Sequence, residues 1–370
     1  MIKVLFFIHD LLGGGAEKVL VNLVNNMDYS KFDITVMTLF DVGVNRQFLN
    51  EKVHYKYVYK KMIRGNSHLM KLLTPEQLHK KYIKDIYDIE IAYLEGPCTR
   101  IISGCPSKRT KLVSWIHCTM KSKREVSSSF RNYAEAEKCY NSFDKLIAVS
   151  AASLQSLQKY ININIKTEVC YNTYEVIDII SKSKEKVDEI QLSSNCCCLI
   201  GSGKLVKLKG FDRIARIHKK LRDIGLNVCT YIIGEGIEHD NLAELITDLG
   251  INDSFKLLGY KTNPYKYVSK ADLFVCSSFS EGFSTAATEA LIVGTPVVTV
   301  EVSGMKEMLG EHNEYGIVTE NSEEALYEGI RTMLITPGML EDYAQRAKQR
   351  GKEFSTEKTV RAVEDMLLNL

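Results

Sequence analysis

The stretch SEGFSTAATEALIVGTPVVTV, residues 280–300, decides the fold. Its small residues, with a hydroxyl at Ser284 or Thr285 that can cap a first turn, predict a helix. Gly294 is the residue type that ends a helix, and the proline two positions later cannot continue one. The apolar run Val297–Val300 then predicts a buried strand. A helix that leads directly into a buried strand is typical of a parallel α/β sheet.

Short apolar strands alternate with amphipathic helices along the rest of the chain. In the first half we predict strands at Lys3–His9, Phe32–Leu39, Ile89–Leu94, Lys111–Ile116, Leu146–Ser150 and Glu168–Tyr171. In the second half we predict strands at Cys196–Gly201, Val228–Gly234, Phe255–Leu258, Leu273–Cys276 and Pro296–Val300. The alternation predicts the α/β class, with two Rossmann-like domains that face a cleft. We divide the chain into a first domain, a polar linker, a second domain and a C-terminal helix packing back on the first domain, at residues 1–178, 179–194, 195–350 and 351–370.

The composition is that of an ordinary globular protein, since 45% of the 370 residues are hydrophobic and 25% are charged. No apolar run approaches the ~20 residues that a membrane-spanning helix needs. The amino end, MIKVLFFIHD, lacks the pattern of a secretory signal. The ten cysteines are scattered, so we expect reduced thiols and a cytoplasmic location. No Cys/His set has zinc spacing, and we expect no metal.

The net charge is only +2, but the basic residues are concentrated in the first half. Residues 54–84 contain eight Lys/Arg and one acid, and residues 107–131 contain seven and one. A solvated basic face explains this pattern, and so does attraction to anionic lipid or to a phosphate-bearing acceptor. No nucleic-acid-binding module is recognisable.

Glycines and lysines follow predicted strands, at the sheet edge where open α/β sheets bind ligands. The three glycines at 13–15 open a helix and let backbone approach a ligand, although a plain tight turn explains them equally well. They lack the spacing of the dinucleotide fingerprint. Lys204 and Lys209 flank a loop after the strand Cys196–Gly201, and ammonium groups there suit phosphate oxygens. Two solvated loop lysines are the alternative interpretation.

Three further motifs follow strands but decide nothing singly. His117 follows the strand ending at Ile116, Asn172 follows the strand Glu168–Tyr171, and Gly259-Tyr260 follows Leu258. A lone histidine is more often structural than functional, and the other two motifs are compatible with simple turns.

The helix predicted after Phe283 begins with small side chains and bare amides, which suit an anion. Glu281 lies in the turn before this helix, and Glu289 lies about a turn inside it. Carboxylates accept hydrogen bonds from hydroxyl groups. A ligand that is both anionic and hydroxylated would suit this place.

Taken in order, these motifs resemble those of the retaining nucleotide-sugar glycosyltransferases with the GT-B fold, the E-x7-E family (family 4-like, group 1). The family's mark reads EGFSTAATE here and continues as ALIVGTPVV, close to the family's E-A-x-x-x-G-x-P-V-V. The resemblance spans nearly the whole chain. It also covers the glycine-rich first turn, the K-x4-K-G-F loop, Gly234-Glu235-Gly236, Gly259-Tyr260 and Asn172.

The resemblance implies an acceptor-binding first domain and a second domain that binds a nucleotide sugar. Glu289 would bond the donor ribose, Glu281 would support positive charge at the reacting sugar carbon, and His117 would lie near sugar or acceptor. Lys204 and Lys209 would neutralise the leaving diphosphate. The implied catalytic residues are Glu281, His117, Lys204 and Lys209. The implied donor contacts are Gly14, Gly15, Gly203, Lys204, Lys209, Gly259, Tyr260, Glu281, Gly282, Phe283, Ser284, Thr285, Ala286 and Glu289.

The reaction implied is a retaining, metal-independent hexosyl transfer in which the nucleotide sugar is a substrate and no cofactor is needed. No acidic pair with metal-holding D-x-D spacing lies near the motifs, which agrees with lysines in place of magnesium. A UDP-linked donor and a saccharide or lipid-linked acceptor of surface polysaccharide synthesis are expected. The location would be cytoplasmic, or peripheral on the inner face of the membrane.

Two positions depart from the family pattern. Lys204 stands where arginine is usual, so the charge survives but the bidentate fork is lost, and Ser284 stands where glycine is common. Three other functions stay open: a sugar-nucleotide 2-epimerase on the same fold, a non-catalytic sugar-nucleotide-binding module, and a glycogen-type synthase. The single tryptophan weighs against a long glucan site, and the full set of charged residues weighs against mere binding.

Overall fold

The structure is a computed structural model that describes residues 1–62, 69–187 and 196–370. It divides into two compact units. The first unit contains Met1–Tyr174 and Ser355–Leu370, and the second contains Glu175–Phe354. Each unit is a parallel sheet with helices, which confirms the prediction of an α/β chain with two Rossmann-like domains.

The first unit is built on a parallel sheet with the strand order β3-β2-β1-β4-β5-β6-β7 in the described part of the chain. Its strands are β1 Ile2–Ile8, β2 Phe32–Phe40, β3 His54–Tyr59, β4 Ile89–Ala92, β5 Lys111–Ile116, β6 Lys145–Ala148 and β7 Lys166–Val169. Val4 is in register with Ile34 on one side and Ile89 on the other. The edge strand β3 was not predicted because its polar, half-exposed residues lie within a basic stretch.

Helices pack against this sheet. They are Gly15–Asn26, Pro75–Tyr82, Pro97–Ile102, Lys123–Val126, Tyr133–Tyr140, Ala151–Gln158 and Thr356–Leu368, with a 3₁₀ turn at Val44–Phe48. The last of these helices is tied to the body of the unit at two points. Thr356 Oγ1 donates to the Tyr174 carbonyl at 2.6 Å, and Glu364 accepts from the Asp28 amide at 2.6 Å. The end of the chain is therefore part of the first unit.

The second unit is built on a parallel sheet whose described strands have the order β10-β9-β8-β11-β12-β13. They are β8 Cys197–Ser202, β9 Val228–Ile233, β10 Phe255–Leu257, β11 Leu273–Cys276, β12 Val297–Val300 and β13 Ile317–Thr319. Its helices are Val176–Ser183, Phe211–Asp223, His239–Asp248, Tyr265–Val268, Thr285–Val293, Met305–Leu309, Glu323–Ile335 and Met339–Gly351, with a 3₁₀ turn at Lys207–Lys209. The short strand β13 was not predicted.

The structure differs from the predicted linker at 179–194. The helix Val176–Ser183 buries Ile179 and packs in the second unit, where the Asn263 amide donates to the Lys182 carbonyl at 2.9 Å. The surrounding lysines obscured this helix in the sequence. Residues 188–194 of the predicted linker lie outside the described residues.

The prediction that the cysteines are all reduced is wrong for one pair. Cys196, the residue before β8, is joined by a disulfide to Cys229 in the neighbouring strand β9. Their Cα atoms are 5.9 Å apart, which is an ordinary spacing for such a bond. The other eight cysteines are free. None of the described helices combines the length and the apolar composition needed to cross a bilayer.

Candidate functional site

The strand order of the second unit places a ligand crevice at its centre. The chain runs outward in opposite directions from β8 and β11, and such a reversal leaves a crevice beyond the carboxyl ends of these two strands. The loop after β8 contains Gly203 and Lys204, and the loop after β11 contains Ser277 to Glu281. The topology therefore brings together two of the motifs that the sequence singled out.

Glu281 is the centre of a small polar cluster at this edge. Its Oε1 atom accepts hydrogen bonds from Lys209 Nζ at 2.6 Å and from Ser278 Oγ at 2.6 Å. Ser277 Oγ donates to the Lys209 carbonyl at 2.8 Å, which ties the lysine backbone to the same loop. Burial alone would lower the pKa of Lys209, but the Glu281 carboxylate outweighs it and raises the pKa. The lysine is therefore a fixed positive charge.

The helix Thr285–Val293 begins beside this cluster. Ser284 is the N-cap, and its hydroxyl accepts a hydrogen bond from the Ala287 amide at 3.3 Å. Gly294 ends the helix in the left-handed conformation, as predicted. A recess at the start of the helix is lined by Ser202, Lys209, Phe211, Phe274, Val275, Cys276, Ser277, Ser278, Glu281, Ser284 and Ala286. A lysine, four serines and a helix N-terminus thus line the recess, which favours an anion.

Three neighbouring loops form a rigid frame around the recess. The Gly203 amide donates to the Ile233 carbonyl, the Leu205 amide to the Glu235 carbonyl, and the Gly234 amide to the Gly259 carbonyl, each at 2.9 Å. Gly234 has a φ of 141°, and a Cβ there would lie 1.9 Å from the Gly203 carbonyl oxygen. Only glycine fits this crossing, which gives the Gly-Glu-Gly motif a structural reason.

Sequence reasoning missed Arg213, which holds the Ser277–Glu281 loop. Arg213 is 3% exposed, and its Nη1 donates to the Ser277 carbonyl at 3.1 Å and to Asn321 Oδ1 at 2.9 Å. Its guanidinium also lies 4.6 Å from the centre of the Phe279 ring. Arg213 follows the K-G-F motif on a helix whose other charges are solvated, so no local signal distinguishes it.

The remaining predicted residues of the second unit lie around the recess without lining it. Glu289 accepts a hydrogen bond from the Tyr265 hydroxyl at 3.4 Å. Tyr260 is exposed, and its amide donates to Glu235 Oε1 at 3.3 Å. Lys204 is exposed and makes no ion pair with any residue that the structure describes. Gly203, Gly259, Gly282, Phe283 and Thr285 belong to the same loops and helix start.

The first unit has its own crevice, where its strand order reverses between β1 and β4. His117, after β5, has its ring centre 4.7 Å from that of Tyr93. Burial lowers the pKa of His117 to about 3, so its imidazole is neutral at neutral pH. Gly14 caps the helix Gly15–Asn26, and the Glu17 carboxylate lies where a Cβ on Gly14 would be.

Two acids at this edge were not predicted. Asp10 follows β1 and is 6% exposed; it accepts hydrogen bonds from the Leu12 amide at 2.9 Å and from His9 Nδ1 at 2.6 Å. Glu95 follows β4 and accepts from the His117 amide at 2.9 Å. Each acid stands just after a buried strand, and that position was the signal available in the sequence.

Away from the crevice, three side chains of the kinds that bind metal ions lie close together in the first unit. Their spacing in the sequence did not indicate this group. His79, Glu90 and Cys105 have ligand atoms within 4.8 Å of one another. They also satisfy each other, because His79 Nε2 lies 2.7 Å from Glu90 Oε2 and Cys105 Sγ donates to Glu90 Oε1 at 3.8 Å. Burial alone would lower the pKa of His79, but Cys105 and Glu90 raise it to about 9. The arrangement is that of a buried ion pair.

Comparison with known proteins agrees with the division of the chain into two units. The model of Glycosyltransferase Family 4 matches residues 13–176, and the model of Glycosyl transferases group 1 matches residues 183–350. This chain therefore belongs to the group 1 glycosyltransferases with the GT-B fold.

One relative and one solved structure cover nearly all of the chain, and a second relative covers about half of it. The chain is 27% identical, over 98% of both sequences, to N-acetylgalactosamine-N,N'-diacetylbacillosaminyl-diphospho-undecaprenol 4-alpha-N-acetylgalactosaminyltransferase of Campylobacter jejuni. It is 26% identical, over 49% of this chain and 51% of the relative, to the lipopolysaccharide core biosynthesis glycosyltransferase LpsD of Rhizobium meliloti. The crystal structure of Anabaena HepE with UDP and glucose superposes over all of both chains with a TM-score of 0.79 at 19% identity.

Proposed function

We propose that this protein transfers a sugar from a UDP-sugar to a lipid-linked saccharide in surface polysaccharide synthesis, with retention of anomeric configuration and without a metal ion. The observation that carries the proposal is the convergence of Lys209 and Ser278 on Glu281 beside the capped helix Thr285–Val293. This arrangement combines an anion site with an oriented carboxylate.

The anion site suits the leaving diphosphate. Breaking a glycosyl–phosphate bond builds negative charge on the diphosphate, and fixed cations and amides stabilise that charge without rearrangement. Lys209, Ser284 and Ala286 line the recess, and we propose that Lys209 and the amides of Ser284 to Ala286 hold the diphosphate. Lys204, on the loop after β8, adds a second positive charge once it turns toward the diphosphate.

The oriented carboxylate suits the sugar. Positive charge develops at the sugar carbon as the bond breaks, and a nearby carboxylate stabilises it. Lys209 and Ser278 both bond to Glu281 Oε1. We propose that the Glu281 carboxylate, held in place by these two bonds, contacts the sugar. Glu289 would bind the ribose hydroxyls.

The comparisons support a UDP donor and a lipid-linked acceptor. Crystal structures of HepE contain UDP and UDP-glucose, and the Campylobacter relative is named for a diphospho-undecaprenol substrate. The basic stretches of the first unit favour an anionic bilayer as the place where such an acceptor is met. Flotation of the chain with anionic vesicles, but not with neutral vesicles, is the expected result. Equal and negligible binding to both would remove the membrane part of the proposal.

The transfer itself is tested with a panel of UDP-sugars and undecaprenyl-diphospho-saccharide acceptors, followed by proton NMR of the product. We expect the anomeric configuration of the new linkage to match that of the donor. We also expect the same rate of transfer with and without EDTA. An inverted linkage would exclude retention, and loss of transfer in EDTA would exclude metal independence. Conversion of the donor in the absence of acceptor would identify an epimerase instead.

A further inference from the structure

The loop after β4 and the loop after β5 are joined through one side chain, Glu95. Its Oε2 atom accepts the backbone N–H of His117 at 2.9 Å, and its Oε1 atom accepts the Cys118 thiol at 2.6 Å. Both carboxylate oxygens are thus bonded to consecutive residues of the His117 turn. Among the described residues, Glu95 is the only side chain that accepts a hydrogen bond from the His117 amide.

The thiol is well suited to this role. Burial and the Glu95 carboxylate raise the pKa of Cys118 far above its usual range, so the sulfur keeps its proton and donates. An ionised carboxylate offers only acceptors, and here it meets two donors. Each oxygen of the Glu95 carboxylate therefore has a donor, and the hydrogen bonds are charge-assisted and short.

Aromatic rings contact the His117 ring, but no protein group contacts its Nε2 atom by a hydrogen bond within the described residues. The ring lies 4.7 Å from the Tyr93 ring centre and is stacked on Trp115 at 6.2 Å, which fixes its plane. Its Nε2 atom is buried and has no hydrogen-bond partner within the described ranges. A buried polar atom without a protein partner is rare and points to a partner outside the chain. The ring therefore presents one free nitrogen in a fixed direction, and its backbone depends on Glu95 for its place.

We infer that Glu95 is a positioning residue for His117, and that it holds the free Nε2 atom of the ring against the acceptor. This inference rests on the proposed function and on the expectation, from the family resemblance, that His117 lies near sugar or acceptor. It adds a residue that makes no substrate contact itself and acts through the His117 turn.

A double-mutant cycle separates positioning from general stability. We expect Glu95→Ala to lower kcat about 10- to 100-fold, as a small misplacement of a reacting group does. In a His117→Ala background the same change should cost less than about 3-fold, because the group that it positions is gone. Glu95→Gln should recover most of the activity, since its amide oxygen can accept from the His117 amide while its NH₂ faces the sulfur. UDP stabilisation should be the same in all four chains.

Asp144 provides a matched control at the other end of β5. Its Oδ2 atom accepts the Leu112 amide at 2.8 Å, so Asp144→Ala also removes one carboxylate from a backbone N–H of this strand. We expect kcat to change by less than about 3-fold in this variant. Equal losses of kcat in Asp144→Ala and Glu95→Ala would overturn the inference, and so would additive losses in the cycle.

A readout independent of turnover keeps the two proposals apart. In ¹⁵N-histidine NMR spectra, Glu95→Ala should shift or broaden the His117 ring signals and leave those of His218 unchanged. His218 is a second buried histidine whose pKa burial lowers, to about 4. Unchanged His117 signals would overturn the inference even in an active enzyme. A wild-type chain that transfers no sugar would instead overturn the proposed function, and the positioning role of Glu95 in that reaction would fall with it.

Discussion

The carboxyl edges of the two sheets are built in opposite ways. In the second unit the polar cluster is internally bonded, since Lys209 and Ser278 both bond to Glu281. In the first unit buried polar atoms stand unpaired. Four buried side-chain atoms lack a hydrogen-bond partner in the described part of the chain, and all belong to the first unit: Trp115 Nε1, His117 Nε2, Tyr140 OH and Asn172 Oδ1.

This difference indicates how each edge would interact with a ligand. A paired cluster on a rigid frame is organised before any ligand arrives, which is what stabilisation of a leaving group requires. A buried polar atom without a hydrogen-bond partner is stabilised most by a ligand that supplies this partner. We therefore expect the second unit to bind a common, compact group, and the first unit to determine which acceptor is used.

The largest effect should come from removing the cation of the paired cluster. Lys209→Ala should lower transfer by about 10²- to 10³-fold, because the leaving diphosphate loses a fixed positive charge. Steady-state kinetics with saturating donor measures this. Lys207→Ala is the matched control, since Lys207 lies in the same 3₁₀ turn and is exposed. A comparable loss in both variants would show that the turn, and not the charge, is what matters.

The frame around the cluster should be the next most sensitive feature. In Gly234→Ala the new Cβ would lie 1.9 Å from a backbone oxygen, so the loops must separate. We expect a loss of several degrees in Tm by calorimetry, together with loss of nucleotide binding. Gly225→Ala is the control, because its φ is also positive, at 87°, while nothing lies within 4 Å of its Cβ. If Gly225→Ala is as harmful, backbone conformation rather than close packing explains the effect.

The buried pair His79–Glu90 should make the first unit less stable at alkaline pH. The pKa of His79 is raised from 6.5 to about 9, so between these values the folded chain holds one more proton than the unfolded chain. Stability from this pair is thus complete below about pH 6.5 and is lost as the pH rises through about 9. Hydrogen exchange of peptides covering Ile89–Ala92 measures it. Glu90→Gln should flatten the slope, and an unchanged slope would contradict the assignment.

The smallest effect should come from Tyr265. Its hydroxyl is 3.4 Å from Glu289 Oε1, a long bond to a half-exposed carboxylate. Tyr265→Phe should weaken UDP binding by less than about 3-fold, whereas Glu289→Ala should weaken it by about 10-fold or more. Isothermal titration calorimetry compares the two. A larger effect of Tyr265→Phe would mean that Glu289 is oriented by the tyrosine.

The second unit was the more predictable from sequence. The helix start at Ser284, its end at Gly294 and the strand that follows are dictated locally by caps and by hydrophobic runs. Contacts between distant segments were not predictable. Arg213 reaches the Ser277 carbonyl from another element, and Glu95, after β4, reaches His117, after the neighbouring strand β5. The edge strands β3 and β13 were missed because short or half-exposed strands lack a strong hydrophobic pattern.

The most direct test of the account is thermal stabilisation of the wild-type chain and of Lys209→Ala by UDP, GDP, ADP, TDP and CDP. A nucleotide at about 100 times its dissociation constant should add about 2.7 kcal/mol to the unit that binds it. We predict a rise of several degrees with UDP in the wild type, little with the other nucleotides, and none in Lys209→Ala. Equal stabilisation of both chains by UDP, or none in either, would contradict the claim that Lys209 and Glu281 form the donor site.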